Sequence, residues 1–166
     1  MANQSAIARS FGVSGGVFCI MWAPYQPGVT RFARSIPGMT KTFARSGSRY
    51  EEEYGFSRGV RIGNRIEIAG TAPIPPEGEP VAETAYGQMM RCGEIGLAAL
   101  EELGGSAPDV VRTRMFITDA ADADEIGRAH RDLFGEASPA ATMVVVAALL
   151  DPTWKVEIEV EAVLGA

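Results

Sequence analysis

The chain contains 166 residues, and its hydrophobic fraction of 46% and charged fraction of 22% suit a single globular domain without a membrane-spanning run of about 20 apolar residues. Two cysteines cannot build a disulfide framework or a four-ligand zinc site of their own, and one histidine excludes a mechanism that needs two within one chain. The net charge of −6 disfavours a nucleic acid as partner, because phosphate binding requires a basic surface.

The charge is unevenly distributed along the chain. Residues 1–44 contain four basic and no acidic residues, whereas residues 45–166 contain 11 basic and 21 acidic residues, a net charge of −10. A shift this sharp indicates a boundary. We therefore expect an N-terminal extension over residues 1–44 and one domain over residues 45–166.

The first 38 residues show no periodic apolar pattern, and their interpretation stays open. An acid-free segment with arginine and serine resembles an organelle transit peptide. The short apolar run 16–23 resembles a weak secretory segment, although Pro24 and Pro27 follow it at once. The start codon can also be over-extended, with Met39 as the true first residue, or the segment can be a flexible extension or contact arm. No function is inferred from it, and we expect a cytoplasmic protein.

The domain begins with a predicted β-hairpin at residues 57–70. Apolar and polar residues alternate on both sides of Gly63-Asn64, a two-residue sequence typical of a tight hairpin turn. Residues 73–80, which are rich in proline and glycine, form the loop that follows.

A helix is predicted at residues 83–103, because apolar residues recur there at three- and four-residue spacing and Gly104-Gly105 is a typical stop signal. Each interior glycine costs a helix roughly 1 kcal/mol. We attribute three such glycines to a close approach between this helix and a sheet: Gly87, Gly93 and Gly96.

Four further elements complete the domain: a strand at residues 110–118, a helix at residues 121–134 and strands at residues 142–149 and 155–164. Asp119 is placed to cap the second helix. The order β-β-α-β-α-β-β predicts two helices on one face of a mixed sheet. The other face then needs a cover, for which a second copy of the chain is the simplest.

The last strand predicts a charged open face. Glu157, Glu159 and Glu161 share one face by the two-residue period of a strand, and apolar residues share the other. Arg112 and Arg114 likewise share a face of their strand. Because like charges in a row repel, the two rows are expected to pair, within or between subunits.

Two interpretations of this face stay open. It is either a solvated polar surface, or a polar subunit interface or ligand cleft. The nearly unbroken apolar run 144–150 favours the second, since a strand that is apolar on both sides needs cover on both sides.

Four segments together resemble the Rid (YjgF) family, in matching order and spacing over about residues 45–165: Tyr54–Gly70, Asp109–Asp119, Ser138–Leu149 and Val156–Glu159. The resemblance implies an α+β, chorismate-mutase-like fold and a homotrimer with ligand clefts between subunits. It also implies a small-metabolite ligand, since active members hydrolyse 2-imino or enamine acids to 2-oxo acids and ammonia. Those members use no metal and no organic cofactor.

The resemblance transfers only part of the family's catalytic set. In Pro139-Ala140-Ala141-Thr142, Ala141 stands where deaminating members carry the arginine that binds the substrate carboxylate. Glu157 is retained, and in active members this glutamate holds the attacking water. The chain therefore resembles the arginine-lacking subgroups, in which imine deamination is not expected. The family's ribonuclease label fits poorly with a domain charge of −10.

Other family positions also differ in this chain. Ala69, followed by Gly70, replaces a serine; Phe56 replaces a tyrosine and keeps its ring; and His130 replaces another tyrosine. The resulting substrate-binding candidates are Phe56, Ala69, Gly70, Arg112, Arg114, His130, Ala141 and Met143, with Glu157 as the catalytic candidate.

Each candidate also has a purely structural interpretation. Glu157 either orients water or pairs with an arginine at an interface. Arg112 or Arg114 either replaces the missing clamp or pairs with the glutamate row. His130 is either a pocket acid–base group or a packing residue. Cys92 lies on an apolar helix face and is interpreted as a small buried hydrophobe.

Two classes of function remain. The first is an enzyme that hydrolyses an imine, an enamine or a similar activated molecule, with Glu157 positioning water. The second is a non-catalytic trimer that binds a small metabolite or scavenges reactive species; a trimeric scaffold without a ligand is a weaker third. A cationic group that faces Glu157 across a cleft, with ordered water between, would favour catalysis. A sealed apolar cleft would favour binding or structure alone.

Overall fold

The computed structural model describes residues 40–165, so the expectations for residues 1–38 lie outside the described residues. The elements in chain order are β1 (Lys41–Ala44), α1 (Arg49–Tyr54), β2 (Gly59–Ile62), β3 (Arg65–Thr71), α2 (Ala85–Glu102), β4 (Val110–Ile117), α3 (Ala123–Phe134), β5 (Ala140–Val145) and β6 (Val156–Val163). The strands form one mixed sheet in the order β1-β2-β3-β6-β4-β5, in which β4 and β5 run parallel and the other neighbours antiparallel.

The predicted hairpin is confirmed as β2 and β3. Ile62 pairs with Arg65 across Gly63-Asn64, and Gly63 has a φ of 61°, which glycine adopts without strain. This register sends Val60 to the same face as Glu67, because directly opposed residues share a face. The hairpin therefore presents apolar and charged residues together on the face away from the helices.

Helices α2 and α3 pack on one face of the sheet, as predicted. The alternate residues Val156, Ile158, Val160 and Ala162 of β6 are all buried there. Burying an aliphatic side chain of this kind stabilises the fold by about 1.5–3 kcal/mol. In the described part of the chain no helix is long and apolar enough to span a membrane.

The C-terminus of α2 follows its predicted stop signal. Gly104 has a φ of 85°, and the N–H of Gly105 donates to the carbonyl of Leu100 at 2.9 Å. Arg61 of β2 then donates from Nη1 to the carbonyl of Leu103 at 2.8 Å. A side chain of the hairpin thus satisfies a backbone group that the helix end leaves free.

Two elements at the start of the described region were not predicted. Strand β1 pairs with β2, so residues 41–44 belong to the sheet and not to the N-terminal extension that the charge pattern predicts. Helix α1 follows, with Ser48 as its N-cap and Gly55 as its C-cap. Strand β5 is also shorter than predicted: it ends at Val145, and Leu150 beyond it is 90% exposed.

The three glycines of α2 do not all allow the helix to pack closely against the sheet. A Cβ on Gly93 would collide with Cδ1 of Leu133 and lie 2.8 Å from Cδ2, so Gly93 allows α3, not the sheet, to come close. Gly96 does face the sheet, but a Cβ there would make an ordinary 3.9 Å contact with Ile68. The expectation of a helix–sheet approach is therefore wrong for Gly93.

This packing predicts opposite effects for two glycine-to-alanine substitutions. Gly93→Ala should lower the free energy of unfolding by up to about 2 kcal/mol, because overpacking against Leu133 costs about 1–3 kcal/mol and the better helix propensity of alanine offsets about 1 kcal/mol of it. Gly127→Ala in α3 should raise it by up to about 1 kcal/mol, since no atom lies within 4 Å of the new Cβ and alanine is the better helix former. Urea unfolding of the two variants beside the wild type measures both. Equal effects in the same direction would contradict the assigned helix–helix contact.

Candidate functional site

Three carboxylates lie in a row on the open face of β6, the face that α2 and α3 leave uncovered. Arg114 on β4 reaches two of them, with Nη1 2.7 Å from Oε1 of Glu161 and 3.5 Å from Oε2 of Glu159. Arg65 on β3 donates to Glu161 from the other side at 2.9 Å. The predicted pairing between arginine and the glutamate row is therefore confirmed for Arg114 within one subunit.

Glu157, the third carboxylate of the row, has no cationic group within 4 Å among the described residues. The side chain is half-buried. Burial raises the pKa of its carboxyl above the ordinary value; the charge of Arg58 opposes this rise and Glu159 adds to it. A carboxyl with a raised pKa exchanges a proton near neutral pH more readily than an ordinary glutamate does.

A β-bulge in β3 makes room for this carboxylate. Between Ile68 and Thr71, β3 contains one residue more than β6 does between Val160 and Ile158. The bulge contains Gly70, on which a Cβ would collide with Oε1 of Glu157 and lie 3.2 Å from its Cδ. Glycine at this position is what allows the carboxylate to lie against the backbone.

Arg58, just before β2, supplies a cation beside the bulge. Its Nη1 donates to the carbonyl of Gly70 at 2.6 Å and to Oγ1 of Thr71 at 3.0 Å. Its Cζ lies 5.7 Å from the ring centroid of Phe56, a cation–π distance. Burial lowers the pKa of Arg58, and the charges of Glu51 and Glu157 oppose that effect. The guanidinium is thus fixed by the backbone of the bulge that also holds Glu157.

Glu51 of α1 is the second carboxylate near Arg58. It is only 3% exposed, and its Oε1 accepts from the N–H of Ser46 at 2.9 Å and from Oγ of Ser46 at 2.7 Å. Burial alone would raise the pKa of this carboxyl, but the two bonds from Ser46 and the charges of Arg58 and Arg45 hold it below the ordinary value. Glu51 is therefore ionised at neutral pH.

A shallow depression of about 240 Å³ opens on the same face of the sheet. Ala69, Arg114 and three carboxylates, Glu67, Glu159 and Glu161, are among the residues that line it. Glu157 is not part of this lining. The depression lies over the paired section of the charged row, beside the bulge.

The structure brings some of the predicted candidates together. Ala69 and Gly70 form the bulge, Phe56 lies beneath Arg58, and Glu157 lies against Gly70. Arg112 is on the open face but lies opposite Glu161. The residue of β4 that lies opposite Glu157 is Phe116, four residues further along the strand. Four residues of a strand span about 13 Å, so Arg112 is remote from Glu157 within one subunit.

The remaining candidates lie elsewhere. His130 of α3 shares a 2.8 Å hydrogen bond between its Nε2 and Oγ1 of the buried Thr113. Met143 packs partly buried against the core. Ala141 pairs in register with Thr113, on the helix side of the sheet, and is exposed. Within one subunit, therefore, these three residues do not face Glu157.

Sequence reasoning missed Arg58 and Glu51. Arg58 lies inside the hairpin segment that carries the family resemblance, but a single arginine before a strand has no distinctive spacing. Glu51 had a usable signal, because Ser48 precedes it by three residues and Gly55 follows, the pattern of a short capped helix. Its carboxylate instead reaches back to Ser46, which no helix rule predicts.

The described residues contain no group of three or more histidine, cysteine, aspartate or glutamate side chains that could hold a metal ion. Cys92 is buried, and burial raises the pKa of its thiol far above the usual range, so the thiol is neutral and unreactive. The chemistry open to the site is that of a carboxyl group with an adjacent guanidinium.

Comparison with protein families identifies a matching family model and related proteins. The family model described as "Endoribonuclease L-PSP" matches residues 47–164. An uncharacterized protein of Streptomyces coelicolor is 37% identical over 128 residues, which are 73% of this chain and 90% of that protein. A 2-iminobutanoate/2-iminopropanoate deaminase of Salmonella typhimurium is 30% identical over 111 residues, which are 65% of this chain and 84% of that enzyme.

Solved structures support the same assignment. The crystal structure of a member of the YjgF/YER057c/UK114 family from Mycobacterium tuberculosis matches with a TM-score of 0.69 and 35% identity. The match covers 75% of this chain and all of that chain. The expected chorismate-mutase-like fold is thereby confirmed.

The contact between His130 and Thr113 predicts how the one imidazole of the chain titrates. Burial lowers the pKa of His130 below the ~6.5 of a free histidine. The unfolded chain therefore binds a proton more readily, and stability from this group is complete above about pH 6.5 and falls as the pH drops below it. Proton NMR of the untagged full chain should show the His130 resonance titrating below pH 6.5.

Unfolding at pH 7.5 and pH 5.5 provides the matching control. The wild type should lose more stability between these pH values than His130→Gln, which has no imidazole to protonate. A resonance that titrates at or above 6.5 would instead mark His130 as an accessible acid–base group.

Proposed function

The chain belongs to the endoribonuclease L-PSP family, which is the Rid (YjgF) family, and from that premise we propose that it hydrolyses a small imine or enamine acid to a 2-oxo acid and ammonia. The observation that carries the proposal is the state of Glu157: half-buried, free of a close ion pair and beside a guanidinium. Of the two classes of function weighed from the sequence, this arrangement favours the enzyme.

Hydrolysis of an imine requires one carboxyl group to act first as a base and then as an acid. As a base, Glu157 accepts a proton from water while the water oxygen bonds to C2 of the imine and the C=N electron pair moves to nitrogen. As an acid, it returns that proton to the nitrogen, which gives a carbinolamine. It then takes the hydroxyl proton and passes it to the amino group, so that the C–N bond breaks, ammonia leaves and the C=O bond forms. A pKa raised by burial suits both steps, because the group must hold and release a proton near neutral pH.

The charge of the protein supports a small molecule over RNA as the substrate. The open face carries the glutamate row, and residues 45–166 have ten more acidic than basic residues. An RNA backbone would be repelled by such a surface.

The test is an assay in which the protein competes with a chemical trap for an imine that is generated in the same reaction mixture. An amino-acid oxidase generates 2-imino acids, and semicarbazide traps whatever is not hydrolysed. The full-length protein should suppress trapping, and Glu157→Gln should lower this activity about 10²- to 10⁴-fold, the usual contribution of a general acid–base group. Glu94→Gln, at an exposed glutamate of α2, is the matched control and should behave as the wild type.

Suppression by Glu157→Gln equal to that by the wild type would contradict the role of this carboxyl. No suppression by the wild type over several amino-acid side chains would contradict the hydrolase. The alternative would then hold: a non-catalytic trimer that binds or scavenges a small molecule, which the alanine at position 141 favours.

We further propose that the protein is a homotrimer whose subunits cover one another's open sheet faces. Support comes from apolar side chains that remain exposed in one subunit, since Phe43 and Val144 are exposed on that face. Sedimentation equilibrium of the full chain should therefore give three times the 17.6 kDa chain mass. A monomer mass at micromolar concentration would contradict the assembly.

A further inference from the structure

Arg58 has an unusual hydrogen-bonding state for an arginine in a folded domain. Its Nη1 makes two bonds to the bulge, but its Nε is buried without a partner among the described residues. A buried N–H that pairs with nothing costs about 1–3 kcal/mol. Such a donor belongs to a group that is always protonated, and pairing with an anion would satisfy it.

The two neighbouring carboxylates do not use this donor. Neither Glu51 nor Glu157 lies within 4 Å of Arg58 nitrogens, although the charges of both act on it. Glu51 is already bonded to Ser46 through Oε1, and Glu157 lies against Gly70. The charges of both carboxylates therefore act on Arg58 while neither carboxylate is paired with its Nε donor.

The other arginines of the sheet near this face are committed or distant. Arg65 and Arg114 bind Glu161, and Arg61 binds the carbonyls of Gly63 and Leu103. Arg112 also has an unpaired buried Nε, but it lies opposite Glu161 and not beside Glu157. Within the described part of one subunit, Arg58 is the cation that acts on Glu157.

We propose that Arg58 binds the carboxylate of the ligand, so that the site selects small 2-oxo or 2-imino acids although alanine occupies position 141. In this proposal the guanidinium N–H groups that the bulge does not use donate to the anion, and the ring of Phe56 lies 5.7 Å from Cζ of the guanidinium. A carboxylate bound there places the adjacent C2 atom toward Glu157. The proposal deepens the proposed function and rests on the same site.

Glu51 explains why the guanidinium stays in place when no ligand is bound. Its carboxylate is buried and ionised, and its charge acts on Arg58. The fixed negative charge offsets part of the cost of burying Arg58. The guanidinium can thus remain half-buried with one donor free.

The test measures binding and needs no catalysis. The probes are 2-oxobutanoate and its neutral amide, 2-oxobutanamide, titrated by calorimetry into the full-length protein. The wild type should bind the carboxylate about 10- to 100-fold more tightly than the amide, the factor for a hydrogen bond to a charged group. Arg58→Gln should abolish this preference, and Arg58→Lys should retain only part of it, since lysine lacks the planar fork.

Two controls separate binding from folding and from net charge. Arg131→Gln, at an exposed arginine of α3, removes the same charge and should keep the preference. Because Arg58→Gln removes one of the two cations that act on the buried Glu51, the double variant Glu51→Gln/Arg58→Gln removes both charges and should fold yet still lack the preference.

The outcomes distinguish this proposal from the proposed function. Preference for the carboxylate that depends on Arg58, without imine hydrolysis, would uphold Arg58 and overturn the hydrolase. Imine hydrolysis together with an Arg58→Gln variant that keeps the preference would uphold the hydrolase and overturn Arg58. A wild type that binds the amide as tightly as 2-oxobutanoate would also overturn it.

Discussion

Strand β6 lies between β3 and β4, and its strict alternation of apolar and acidic residues constrains the rest of the domain. One set, from Val156 to Ala162, is buried beneath α2 and α3 and anchors the core. The other set, Glu157, Glu159 and Glu161, must then face the opposite side of the sheet. The hydrophobic effect that fixes the register of β6 thus also fixes the position of the carboxylates, because a one-residue slip would exchange the two faces.

The neighbouring strands differentiate three carboxylates that the sequence presents as equivalent. Arg114 and Arg65 neutralise the end of the row that lies far from the bulge. At the other end, the bulge in β3 replaces a side chain with the backbone of Gly70, and Glu157 is left half-buried without a close cation. The same chemical group is therefore an ion-pair partner at one position, whereas at the other it has no close cation and burial raises its pKa.

The hairpin couples this site to the start of the domain. Arg58 is bonded to the bulge through Gly70 and Thr71, and the charge of Glu51 acts on it from α1. Helix α1 is only six residues long, and its place depends on Ser46, which is bonded to Glu51, and on the caps Ser48 and Gly55. A segment next to the boundary in charge composition therefore contributes to the candidate site, because the charge of its buried Glu51 acts on Arg58.

Residues with strong local patterns were predicted correctly from the sequence. The turn at Gly63-Asn64, the stop at Gly104 and the two-faced strand β6 depend on backbone preference and short-range periodicity, which neighbouring residues carry. Strand β1 could not be found in this way. It has only four residues, most of them exposed, so it shows no apolar periodicity, and its partner β2 follows only after helix α1. The strand predicted at residues 142–149 extends beyond the observed end at Val145, because an apolar sequence alone does not provide a neighbouring strand to pair with.

The sequence by itself determined the family, the fold class and the identity of Glu157 as the carboxyl to consider. Only the tertiary structure decided which cation accompanies it. Arg112 and Arg114 share the face of the glutamate row by period, yet register places them opposite Glu161 and Glu159. Arg58 is instead bonded to the bulge that contacts Glu157, and no periodicity encodes that bulge. His130 and Met143 lie on the other side of the sheet for a related reason: the packing of α3 and β5 onto β4 is set by contacts distant in the chain, which local patterns do not record.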